Sequence, residues 1–435
     1  MQTEERSGWG VCGLVLVVAL AVNLAAGVAS GLRRPMTSDA HYYLNIAQSL
    51  AAGQGYVLRD GFWPQAPTMT RSPAWPCTVA LLLRALPSVS PDLLMRGLCL
   101  LLNAVVALLL ARLGWVLLRV RWAAALAGLA YALHPEALYL ATGGGSEILF
   151  LALTAGGTLL MLHGDWRRWL GILCLGLACL ARANFVLWVL FAAAGVVLRA
   201  WLTREPSLRR WLLQGALAAA LFLLPSGLWA ARNYTVCRHF PVLSTLRGQT
   251  FYGGNNAVVA DELDNWGYWI FPNSIPGEQT MLDMSRTMSE YEVDEYYFRR
   301  GAAYVKRHAF GLPRLLLGKL IRAYVPVPWK PNWGTYAIGL IRLLIYLGAA
   351  AGGLALWRRL HPVFRVTLAA MAATNVATVL MFWGCARFAF ALEPFLLPLF
   401  AAGVSGWLFP RSAIGATAEA RGGTDSSVGP IADRA

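Results

Sequence analysis

The sequence predicts an all-α polytopic membrane protein, with about ten transmembrane helices, interfacial helices and an outer loop region. Three observations carry that reading. Apolar runs of ~20 residues, enough to cross a bilayer as a helix, recur between positions 10 and 409. Only 14% of residues are charged against 57% hydrophobic, and the mean hydropathy is +0.52. A soluble chain of 435 residues would need far more surface charge. The charge is also lopsided, because the net +15 comes mostly from arginine, and Lys306, Lys319 and Lys330 are the only lysines. In a membrane chain such an excess sets orientation and meets anionic lipid before it means nucleic acid. No aromatic-basic nucleic-acid module is present.

Residues 1–230 read as an N-terminal transmembrane module whose first span covers 10–30. Gly27-Val28-Ala29-Ser30 has the small residues of a signal-peptidase site, but the apolar run before it is long for a signal peptide. A polar-aromatic outer loop, 31–91, follows and opens on a helix. Ser38 is placed to cap it, Asp39 falls in its first turn, and Gly53 and Gly55 end it. At helical spacing Asp39, Tyr43, Ile46 and Leu50 share one face. The positive end of the helix dipole favours an ionised Asp39, so a carboxylate stands beside Tyr42 and Tyr43 as a general-base candidate. The plainer alternative is an interfacial helix with an acidic first turn and an aromatic belt. After Arg71-Ser72-Pro73 an apolar piece runs to Leu86, and its prolines suit an interfacial or re-entrant segment better than a crossing.

Further spans are expected at 92–118, 122–140, 147–163, 169–181, 184–201 and 211–230. The extracytoplasmic region 231–335 contains the turn cluster Gly253-Gly254-Asn255-Asn256, whose amides suit sugar hydroxyls. An acidic, aromatic helix from Glu290 to Arg300 and a basic amphipathic helix over 303–325, lying on the membrane, complete it. Spans at 336–357, 364–383 and 388–409 form a C-terminal module, and 410–435 reads as a disordered cytoplasmic tail.

Orientation follows from the short loops. Arg119 and Arg121, Arg167 and Arg168, Arg199 to Arg210, and Arg358 to Arg365 fall on one side, which the positive-inside rule makes cytoplasmic. Both long regions are then outside, in what reads as a plasma membrane. The outer side collects Asp39, Arg71, Glu147, Arg182, Arg232 and Arg387. Ionisable residues at span ends also snorkel to the interface, which accounts for some of them without function. Together, a carboxylate base and several guanidiniums suit release of a phosphate leaving group beside an activated hydroxyl. The cysteines form no CxxC pair and the histidines no ligand spacing, so no structural metal site is expected.

The motifs Ser38-Asp39-Ala40-His41-Tyr42-Tyr43-Leu44, Arg71-Ser72-Pro73, His134-Pro135, Ser146-Glu147, Leu180-Ala181-Arg182, Arg232-Asn233-Tyr234, Gly253-Gly254-Asn255-Asn256, Arg387-Phe388 and Glu393-Pro394 occur in this order. In them the chain resembles the GT-C glycosyltransferases, specifically the protein-mannosyltransferase and aminoarabinose-transferase-like group of glycosyltransferase family 39 and relatives. The resemblance implies a sugar donor carried on a polyprenyl phosphate and a lipid, glycan or protein acceptor. It implies Asp39 as the essential acid, Arg71 as a phosphate ligand and Glu147 as a supporting acid. Arg182, Arg232 and Arg387 join the phosphate-binding candidates, and Tyr42, Tyr43, Asn255 and Asn256 the substrate-binding ones. Many such relatives carry a second acid where Ala40 stands here. The resemblance names no definite cofactor and leaves a divalent metal open. The expected chemistry is inverting transfer with Asp39 as general base. The competing classes are a transporter or flippase, which should show helix-breaking pairs in two matching halves, and a non-catalytic glycolipid-binding relative.

Overall fold

A computed structural model describes residues 2–30, 36–59, 61–64, 66–203, 208–241, 243–326 and 332–408. The protein is all-helical and polytopic. Helix α1 (Gln2–Ala29) takes in the polar start as well as the first apolar run. The outer loop carries α2 (Ser38–Ala51) and α3 (Ala74–Ala85). Next, α4 (Pro91–Leu118) turns through left-handed Arg119 into α5 (Arg121–Ala132), and the short α6 (Pro135–Thr142) follows. Helix α7 (Glu147–Met161) pairs with α8 (Arg167–Cys179). After a 3-10 turn at Ala183–Leu187 come α9 (Trp188–Thr203) and α10 (Leu208–Cys237).

The outer region holds α11 (Arg247–Gly253), α12 (Ala257–Asp261), α13 (Met281–Ser285), α14 (Glu290–Arg307) and α15 (Leu312–Tyr324). The chain ends in α16 (Trp333–Leu356), α17 (Pro362–Met381), α18 (Ala386–Phe390) and α19 (Glu393–Leu408). The expected tail at 410–435 lies outside the described residues.

Among the described residues six segments are long and apolar enough to cross a membrane: Gly8–Ala29, Pro91–Leu118, Ala183–Leu202, Leu212–Cys237, Trp333–Leu356 and Pro362–Met381. The other four expected spans are short or broken, for identifiable reasons. The run at 122–140 splits because Pro135 drives His134 out of the helical region, and the His134 ring then caps α6 by accepting from Glu136 N at 3.2 Å. Helix α8, with 13 residues, rises only ~20 Å, against a hydrocarbon core of ~30 Å. The run at 388–409 is interrupted between α18 and α19. Each interruption leaves polar side chains at helix ends among protein rather than in open water.

Small residues set the closest helix contacts. A Cβ added to Gly352 would lie 2.0 Å from the Leu399 carbonyl, so α16 can press on α19 only through glycine. A Cβ on Gly171 would lie 2.5 Å from the Gly157 carbonyl, which fixes α8 on α7 in the same way. The outer region packs a separate small core of Tyr252, Ile275, Met281, Met284, Val293 and Tyr297. It is joined to the first outer loop by Trp63 Nε1, which donates to the Met288 carbonyl at 3.0 Å.

Two expectations are corrected. The helix after Thr37 is capped by Thr37 itself, whose hydroxyl accepts from Ala40 N at 3.3 Å, one residue before the expected Ser38. Asp39 keeps its place in the first turn. The basic helix expected over 303–325 breaks at His308, and in its second half Arg314 is exposed while Lys319 and Arg322 are engaged by the protein. Lys319 is 0% exposed, covered where Gly384 and Gly267 approach its backbone, and Arg322 donates to the carbonyls of Trp266 and Asp264.

Candidate active site

Helix α2 aims Asp39 from its first turn into a junction of five chain segments. Asp39 Oδ2 accepts from Arg387 Nη1 at 2.9 Å, and Oδ1 faces Arg71 Nη2 at 3.5 Å. Arg387, on α18, also binds Glu147 Oε1. Arg182, extended at the break after α8, meets the same Glu147 oxygen at 2.7 Å. The result is one continuous network, Arg71–Asp39–Arg387–Glu147–Arg182. Three guanidiniums face two carboxylates, so the formal charge is 3 − 2 = +1.

The network grades from open to closed. The side chains of Asp39 and Arg387 are 36% and 28% exposed, while Glu147 is 2% exposed. Two polar atoms lack a hydrogen-bond partner although buried, Arg71 Nε and Glu147 Oε2. A buried donor left unpaired beside a net positive charge is a place for an anionic oxygen. Tyr42 lies under the Arg71 guanidinium, 4.8 Å from ring centre to carbon. Tyr43 accepts from Ser146 Oγ at 3.4 Å, and burial, then the Asp39 charge, push its phenol pKa up.

The remaining sequence candidates lie elsewhere. Arg232 is one layer out: it donates to the Thr68 carbonyl at 2.9 Å and lies over the rings of Trp229 and Tyr56. It ends an apolar groove of about 430 Å³ between α8 and α10, lined by Leu177, Leu180, Leu224, Leu228 and Trp229. Asn255 and Asn256 are buried and their amides engaged. Asn255 donates to the Phe251 and Met381 carbonyls and accepts from Lys319 Nζ; Asn256 caps α12 through Val259 N.

A second ionic cluster was not among the sequence candidates. Glu393 Oε1 accepts from Arg342 Nε at 2.6 Å and from the Tyr346 hydroxyl, and Glu393 Oε2 stands 3.6 Å from His134 Nε2. Its readable signal is Arg342, an arginine inside an apolar run. Glu290 and Lys319 gave no comparable signal, since both read as ordinary surface charges. Among the described residues no three His, Cys, Asp or Glu side chains gather as a metal site, and Asp39 and Glu147 already face arginines. These residues do not fit a divalent metal. Cys237 and Cys385 are free thiols and form no bridge with each other.

No family model matches the chain, and no curated protein matches it. Among solved structures it is similar to ArnT from Cupriavidus metallidurans bound to undecaprenyl phosphate, at 16% identity and a TM-score of 0.44, over 92% of this chain and 79% of that one. It is also similar to the same ArnT in the apo state, at 15% identity and a TM-score of 0.39, over 92% and 77% of the two chains.

Proposed function

We propose that the protein is a membrane glycosyltransferase that moves a sugar from a polyprenyl-phosphate donor to an acceptor hydroxyl at the extracytoplasmic face. The observation that carries this reading is the Arg71–Asp39–Arg387–Glu147–Arg182 network, with its one excess positive charge and a half-open carboxylate. The donor phosphate lies against Arg71 and Arg387. The nearby groove ending at Arg232 suits the apolar chain of such a donor.

In the free protein both Asp39 oxygens face arginine, so neither is open to an acceptor hydroxyl. Donor phosphate competes for the same guanidiniums, and the 3.5 Å Arg71 contact is the first to yield. Asp39 is then free to take the proton of the acceptor hydroxyl as its oxygen bonds to the anomeric carbon. The bond from that carbon to the phosphate oxygen breaks, and the polyprenyl phosphate leaves as an anion held by arginine. Inversion follows from attack opposite the leaving group. A positioned base contributes ~10²–10⁴ in rate, and charge stabilisation of the leaving group a comparable factor. Glu147, through Oε1, holds Arg182 and Arg387 in place.

The deciding experiment uses purified protein in lipid with a panel of labelled polyprenyl-phosphate sugars. Undecaprenyl phosphate, the lipid of the bound ArnT structure, is the carrier to try first. Asp39→Asn should keep the wild-type Tm and bind donor, yet lose transfer by ~10²-fold or more. Asn sits in a helical first turn nearly as well as Asp, so an active, stable Asn variant assigns Asp39 a structural role and removes the proposed centre.

A further inference from the structure

We propose that the second outer region positions the two arginines that grip Asp39: Glu290 fixes the arm carrying Arg71, and the Lys319–Asn255 pair fixes the arm carrying Arg387. This rests on the catalytic reading only in assigning those arginines to donor phosphate.

The first arm, 67–71, belongs to no helix, so its backbone groups need partners from elsewhere. Thr68 N donates to the Tyr56 carbonyl, and the Thr68 carbonyl accepts from Arg232. Met69 N donates to Glu290 Oε1 at 2.7 Å, and the Met69 carbonyl accepts from Thr245 N at 3.0 Å. The Arg71 carbonyl accepts from the Tyr56 hydroxyl at 2.9 Å. Glu290 is the hub, because it also accepts from the hydroxyls of Thr68 and Thr245. Its three donors are neutral and it is 9% exposed. A carboxylate is acceptor-only and matches three converging donors, whereas an amide would turn an NH₂ on one of them.

The second arm runs from the end of α17 through 382–385 to Arg387. Lys319 Nζ donates to the Leu380 carbonyl at 3.0 Å and to Asn255 Oδ1 at 2.8 Å. Asn255 Nδ2 donates to the Met381 carbonyl at 2.9 Å. These are carbonyls of the last turn of α17, which have no partner within the helix. Gly384 N donates to the Gly267 carbonyl, and a Cβ on Gly384 would lie 2.2 Å from the Lys319 carbonyl. The link to Arg387 is therefore held from both sides within a few residues of the guanidinium. A lysine buried for packing alone would be cheaper as methionine; here its donors are spent on one arm of the site.

Amide hydrogen exchange by mass spectrometry, on full-length protein in nanodiscs, tests the assignment without any need for turnover. Glu290→Gln and the milder Thr245→Val should speed exchange ~10-fold at 68–71 and leave 382–388 at the wild-type rate. Lys319→Met and the milder Asn255→Ala should do the reverse. Each should also weaken binding of polyprenyl phosphate by ~10-fold or more, since an arginine displaced by about 1 Å loses its geometry. Exchange unchanged in the named arm, or raised equally in α4 and α10, overturns the positioning role. Should wild type bind no polyprenyl phosphate, the functional reading fails, while the exchange pattern still decides the positioning.

Discussion

Arg387 is the one side chain shared by both carboxylates of the site, and its loss and that of Arg71 should look different. Removing Arg387 leaves nearly buried Glu147 with Arg182 alone and Asp39 with the long Arg71 contact. Removing one partner of a buried pair typically costs ~3–5 kcal/mol. Arg71 makes the looser contact, of a kind that contributes about 1 kcal/mol or less. Arg387→Ala should therefore lower the Tm and abolish donor binding together. Arg71→Ala should keep a near wild-type Tm and lose only binding, by the ~1.5–3 kcal/mol of one charge-assisted contact. Arg168→Ala, in the first turn of α8, should change neither. Thermal shift and equilibrium binding of polyprenyl phosphate on the same three samples separate these outcomes; equal binding by Arg71→Ala and wild type would remove Arg71 from the site.

The helices show how far the sequence reaches. Long apolar runs and short arginine-bearing turns are local patterns, and α4, α10, α16 and α17 stand where the patterns put them. The breaks at Pro135 and Arg182 are also local, and they bring Glu147 and Arg182 to the junction. What was illegible is burial imposed by distant neighbours. Lys306, Lys319 and Arg322 recur as an amphipathic basic face would, yet nothing at 303–325 says that Gly267 and Gly384 will cover Lys319. Asn255 and Asn256 likewise have the chemistry of sugar ligands, while the Asn255 amide is engaged by the distant end of α17 and the Asn256 amide by the carbonyls of Tyr252 and Gly253. The buried lysine gives a test at this scale. Burial lowers its pKa from 10.5 to about 7, so between those values the unfolded chain binds the extra proton. Stability contributed at this position must then rise as pH rises from about 7 toward 10, because the unfolded state binds more protons there. Melting wild type and Lys319→Met side by side from pH 7 to pH 9 should show wild type gaining on the variant. Parallel curves would mean that Lys319 stays charged throughout.

At the scale of the molecule, connectivity alone makes the topology a single question. Helices α1, α5 with α6, α8, α10 and α17 run toward the junction at Asp39; α4, α7, α9, α16 and α19 run away from it. The arginines of the short turns, Arg119 with Arg121, Arg167 with Arg168, and Arg358 with Arg359, sit at the far ends of those hairpins. His361 feels the charges of Arg199 and Arg365, which places the turn between α16 and α17 beside the last turns of α9. One face therefore concentrates arginine at helix ends, and the other carries the outer region and the charged network. The positive-inside rule assigns the first face to the cytoplasm. On that assignment the +1 network of the proposed site opens away from the cytoplasm, the side on which the proposed lipid-carried donor would be met. On a background without native cysteines, a thiol at Asp39 or Asn255 should be protected or labelled from outside according to its exposure, and never only from within. Asp39→Cys, the more open of the two, should react with an impermeant maleimide in intact cells, and Arg168→Cys only after permeabilisation. The opposite pattern would place the network on the cytoplasmic side, where a polyprenyl-phosphate carrier offers no advantage over a soluble donor, and the proposed reaction would lose its rationale.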